Sequence, residues 1–71
     1  MQKWEYLFVN CHRYRNTWKA RYINNKEVKN WKSTVSAYDY VNLSGDEGWE
    51  LVTCTTGPAT LRFYFKRPIE E

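Results

Sequence analysis

Two pairs of neighbours in this chain have the residue types for covalent or acid–base chemistry: Cys11-His12 and Asp46-Glu47. A thiol nucleophile needs its imidazole base within hydrogen-bond reach. Residues 3–11 read as a strand, and consecutive strand residues point to opposite faces, so Cys11 and His12 diverge. Adjacent carboxylates at a helix end stay solvated rather than acquiring the shifted affinities of a general acid and base. The acids lie between Gly45 and Gly48, a spacing that invites comparison with a phosphate-binding loop. Such loops lead into a helix N-terminus, where free N–H groups and the helix dipole favour anions. Here the glycines follow a helix, at its negative end, and two carboxylates stand between them. Cys11 and Cys54 form no C-x-x-C pair and, with one histidine, cannot complete a tetrahedral zinc site. The expectation is a non-enzymatic protein with no metal and no cofactor.

Binding chemistry is better represented. Residues 1–33 carry eight bases against two acids, and residues 34–71 carry three bases against six acids. Within the basic half, Arg13, Arg15, Trp18, Lys19, Arg21 and Tyr22 interleave cations with aromatic rings. Single-stranded nucleic acid is held in this way, with phosphates on Lys and Arg and bases stacked on rings. A nucleotide or another anionic small molecule would use the same groups in a cleft. The chain also has four Trp, six Tyr and three Phe, more than one small core can hide. This surplus predicts self-association, as a homodimer or higher homo-oligomer, through the apolar sheet face or strand edges. The face expected to carry it comprises Leu7, Val9, Val52 and Tyr64, with Arg21, Arg62 and Lys66 around them.

These groups must be positioned by a single domain spanning residues 1–71. The start "MQKWEYLFVN" has too short an apolar run for a signal peptide or a membrane span, so a cytoplasmic protein with no membrane partner is expected. Residues 3–11 and 18–23 are rich in aromatic and β-branched types, and they read as a hairpin around a polar turn at 12–17. A helix is expected from Ser33 or Thr34, either serving as N-cap, with Ala37, Tyr38 and Val41 facing the core and Gly45 ending it. Gly48 is expected to take positive φ and turn the chain into a strand at 49–55, pinned beneath the helix by Trp49 and Leu51. A turn at 56–59 leads to a last strand at 60–67. The fold class is thus α+β, ordered β-β-α-β-β. A four-stranded antiparallel sheet, spatial order 2-1-3-4, would carry one helix packed on one face.

Trp4-Glu5-Tyr6, Asn42, Gly45-x-x-Gly48-Trp49-Glu50-Leu51-Val52 and the closing Phe65-Lys66-Arg67-Pro68 together resemble the DUF4177 family of small bacterial and phage proteins. The likeness covers most of the chain. It departs at Leu43-Ser44, where the family tends to a polar residue then leucine, and at the long polar connection 24–33. As the family's name says, its function is unknown, so the resemblance implies a fold and supplies neither an activity nor catalytic residues.

Overall fold

The computed structural model describes residues 1–70. The elements in chain order are β1 (Trp4–Tyr14), β2 (Thr17–Ile23), the two-residue β3 (Lys26–Glu27), a 3-10 turn (Trp31–Ser33), α1 (Ala37–Asp46), β4 (Glu50–Thr56) and β5 (Thr60–Pro68). The strands form one antiparallel sheet in the order β3-β2-β1-β5-β4, with the helix against one face. The α+β class holds, but the sheet has five strands rather than four, and the last strand lies beside the first. The expected order 2-1-3-4 is therefore corrected.

Burial explains the order. Phe63 and Phe65 of β5 are buried, so β5 needs cover on its helix side and takes a central place. It pairs with β1 along the longest ladder of the sheet, from Trp4↔Pro68 to His12↔Thr60. No residue of β4 is buried, and β4 lies at the edge. The connection from β2 accordingly crosses both β1 and β5 before the β4–β5 hairpin turns back inward.

The hairpin β1–β2 is longer than its sequence suggests. His12, Arg13 and Tyr14 continue the strand, and only Arg15 and Asn16 form the turn, both with positive φ (50° and 63°). Such a two-residue turn twists in the same sense as its strands. A second turn of this kind, at Asn24 and Asn25 (φ 50° and 68°), links β2 to β3. The Asn24 side-chain oxygen accepts from the Phe8 N–H at 2.9 Å, and the Asn24 N–H donates to the Phe8 carbonyl at 2.8 Å.

The helix begins later than expected. Ser36 is the N-cap, its hydroxyl accepting from the Asp39 N–H, while Ser33 and Thr34 close the 3-10 turn. The core-facing stripe is Ala37, Tyr40, Val41 and Ser44, at i, i+3, i+4 and i+7. Tyr38 faces solvent instead. The helix also runs through Gly45. The Gly48 N–H bonds the Gly45 carbonyl and the Trp49 N–H bonds the Ser44 carbonyl, both at 3.0 Å. That is the Schellman arrangement, in which the left-handed residue after the helix is Gly48, at φ +90°. Trp49 then packs against the core, with the Arg67 guanidinium 4.1 Å from its ring centroid, but Leu51 remains exposed.

The two glycines should respond oppositely to substitution. Gly45→Ala, in the helix with open space where a Cβ would stand, should stabilise by about 0.5–1 kcal/mol. Gly48→Ala should destabilise by roughly 1–2 kcal/mol, because a Cβ is strained at positive φ. Urea denaturation of both variants measures the difference. Equal shifts would be incompatible with this assignment of the cap.

The core beneath the helix consists of Leu7, Val9, Cys11, Ala20, Ala37, Phe63 and Phe65, flanked by Trp18, Ile23, Tyr40, Val41, Trp49 and Leu61. Odd-numbered β1 residues therefore face the helix. The even-numbered ones (Trp4, Tyr6, Phe8, Asn10, His12 and Tyr14) face away from it.

Candidate functional site

The helix-free face of the sheet is unusually aromatic for a surface open to solvent. Tyr6 and Phe8 are about half exposed (56% and 50%), and Trp4 is 38% exposed. Strand alternation puts these rings there, since Leu7, Val9 and Cys11 between them are drawn under the helix. Phe8 meets Tyr64 of β5 edge to face, with centroids 5.6 Å apart, and these two residues are directly opposite in the ladder. Farther along, His12 packs edge-on against Tyr22 at 5.8 Å and near Trp31 at 6.3 Å. Trp31 in turn meets Tyr14 at 6.1 Å. The polar connection 24–36 folds along the outer edge of β2 and brings Trp31 onto this face, which its isolated place in the sequence did not show.

Cations are threaded among the rings. The Arg21 guanidinium lies 5.3 Å from the Tyr22 centroid and 4.8 Å from that of Trp31. Lys32 approaches Tyr14 and Trp31, Arg15 lies over Tyr14, and Lys66 is 4.4 Å from the Trp4 ring centroid. Arg21 also pairs with Glu27 at 2.9 Å, an exposed contact of little energetic consequence that fixes the direction of the guanidinium. Glu50 is opposite Lys66 in the ladder. Arg62 occupies the position opposite Asn10 on the same face. The His12 imidazole is held below its ordinary range by burial and by the charges of Arg21 and Arg62. Its charged form is therefore disfavoured, and its contribution to this face is a ring.

Between the two aromatic groups is a half-open hollow of about 340 Å³, lined by Phe8, Val9, Asn10, Tyr22, Asn25, Arg62 and Tyr64. Its walls combine ring faces and edges, two side-chain amides and one guanidinium. The Asn10 amide oxygen and the His12 Nδ1 are buried without a hydrogen-bond partner among the described residues.

The six residues expected to bind are not all on this face. Arg21, Tyr22 and Arg15 join it, while Trp18 packs against the core with Arg13 beside it. The Lys19 ammonium is tied to the Thr34 carbonyl and braces the connection. The expected oligomer face does not exist as a unit. Leu7 and Val9 are in the core, Val52 is exposed in a bulge of β4, and Tyr64 is on the helix-free side. The residues that sequence reasoning missed are Trp4, Tyr6, Phe8, Asn10, His12, Tyr14, Trp31 and Lys32, with Arg62, Tyr64 and Lys66 placed in another role. Alternation along β1 was the signal for those on that strand: once one set is committed to the core, the other must be outside.

The residues with potential for covalent chemistry are kept apart. The Cys11 side chain is fully buried, and burial pushes its thiol up to about 11, so it is protonated and inaccessible. The imidazole of His12 is on the opposite side of the sheet. Comparison with known proteins returns no match to a family model, to a curated protein or to a solved structure.

Proposed function

We propose that this protein is a non-enzymatic binding module for single-stranded nucleic acid, with the helix-free sheet face as its binding surface. The carrying observation is the half-exposed row Trp4, Tyr6 and Phe8, continued by Tyr64, Tyr22 and Trp31 and bordered by Lys66, Arg62, Arg21, Lys32 and Arg15. Every base has a π face, so rings on a sheet accept successive bases regardless of sequence, and the cations hold the phosphates. The hollow between Phe8, Tyr22 and Tyr64 suits one base, with Arg62 placed for its phosphate and the Asn10 amide for its edge. A duplex keeps its base faces stacked on one another and closed to protein rings, so the unpaired form should be preferred.

Fluorescence anisotropy of labelled deoxythymidine and uridine oligomers, titrated from low to physiological salt, tests the reading. Affinity should fall linearly on a log–log plot, with a slope of about −0.7 for each phosphate neutralised. The relative affinities of the two oligomers show whether the 2′-hydroxyl is read. Absence of binding to both at low salt would remove the proposal.

A further inference from the structure

We propose that β4 pairs edge to edge with β4 of a second copy of this chain, joining two five-stranded sheets into one. The two edges of the sheet differ sharply. At one edge β3 is two residues long, both exposed and charged, which discourages further pairing. At the other, β4 is seven residues long and exposed at every position, and the stretch from Leu51 to Thr60 contains no charge and no lysine guard. The bulge that often protects an edge occurs here between Leu51 and Thr53, leaving Thr53–Thr56 regular. The helix crosses from the Lys19–Ser36 bridge to Trp49, so this regular part extends beyond its cover.

The hydrogen-bond phase at this edge follows from the hairpin. The Gly57 N–H donates to the Thr60 carbonyl at 2.9 Å. Antiparallel alternation then makes Thr55–Arg62 and Thr53–Tyr64 the pairs bonded to β5. The N–H and C=O groups of Cys54 and Thr56 consequently point outward, along the open edge. A strand related to β4 by a two-fold axis perpendicular to the sheet presents the same outward groups in antiparallel sense, and its regular part, Thr53–Thr56, also lacks charge. A second copy thus fits the phase of the donors and acceptors as well as the neutrality of the strip. The same axis keeps both helices on one side and both aromatic faces on the other. The pairing involves only a short strip, at the low end of specific interface sizes, so the dimer should dissociate in the micromolar range.

Cys54 provides the test, because it is exposed on β4 while Cys11 is sealed in the core. Sedimentation without nucleic acid should show a monomer–dimer equilibrium across the micromolar range. A short bismaleimide should join two chains through Cys54, and Cys54→Ser should keep the dimer while losing the crosslink. Cys54→Lys and Cys54→Glu should each be monomeric, because like charges meet across the axis, and mixing the two should restore dimers. Each variant is checked for folding by circular dichroism, and both substitute an exposed side chain. A protein that is monomeric up to about 1 mM overturns the proposal. So does a dimer that Cys54→Lys leaves intact, or one that Phe8→Ala with Tyr64→Ala abolishes instead. None of these readouts involves nucleic acid, so the outcome stands apart from that of the binding proposal.

Discussion

Replacing both Phe8 and Tyr64 with alanine should weaken single-strand binding by about 5- to 150-fold, the loss expected when one base no longer stacks at roughly 1–3 kcal/mol. The two rings meet edge to face and form one wall of the hollow on the helix-free face. Phe8 is half exposed and Tyr64 has no place in the buried core, so the double variant should remain folded. Anisotropy at fixed salt measures the first effect, and circular dichroism with urea denaturation measures the second. Arg62→Ala is the complementary substitution. It should flatten the salt dependence by about 0.7 in slope, because one phosphate contact is lost while stacking persists. Stacking and charge thus leave different signatures, and a face that merely tolerates exposed rings would show neither. A folded Phe8→Ala/Tyr64→Ala protein that binds as tightly as the parent would rule out this face as the binding surface.

The second large effect concerns stability. Phe65→Ala should cost about 3–5 kcal/mol, the range for removing a fully buried aromatic ring and leaving a cavity. Phe65 is 1% exposed and sits in the centre of the sheet against Phe63, with centroids 6.2 Å apart. A domain of this size has a total stability of roughly 4–10 kcal/mol, so the variant should lose about a third of that margin at the least and all of it at the most. Thermal melting followed by circular dichroism checks this. A fall in melting temperature no larger than that of Phe8→Ala would mean that the two faces of the sheet have been assigned the wrong way round. The comparison is informative because the two residues are both phenylalanine, on adjacent strands, and differ in the side to which they point.

That difference of side shows how much could be read from the chain. The alternation of β1 was visible, but both of its faces were apolar: Trp4, Tyr6 and Phe8 against Leu7, Val9 and Cys11. With both sets apolar, periodicity alone does not say which set the helix covers. The helix covers the smaller β1 residues, together with buried Ala37 and Ala20, and leaves the larger rings outside. The expected association face mixed Leu7 and Val9 with Tyr64 because the side of the helix was unknown. The expected binding set kept Trp18 with Tyr22 because strict alternation places them on one face, whereas a bulge at Arg21 sends them to opposite sides.

Local chemistry was more readable. Gly48 was assigned its positive φ from the break between helix and strand, because few other residues tolerate that conformation. The sequence places the helix end at Gly45, and the bonds from Gly48 and Trp49 back to Gly45 and Ser44 correct it: the left-handed terminating residue is Gly48. At the other end, Ser33, Thr34 and Ser36 are all able to cap a helix. The choice of Ser36 depends on the 3-10 turn at Trp31–Ser33, which is held where Trp31 packs on His12 and Tyr14.

By itself the sequence determined the main elements, a hairpin, a helix, then a second hairpin, and missed only the two-residue β3 and the single 3-10 turn at Trp31–Ser33. Strand period, turn residues and caps are properties of a few neighbouring residues, so they are encoded locally. Tertiary structure alone decided that the last strand lies beside the first, that β4 is left at the edge, and that Trp31 and Arg21 meet over Tyr22. Each of these depends on which surfaces remain to be buried after the local elements have formed, and that competition is settled among residues as far apart as Leu7 and Phe65.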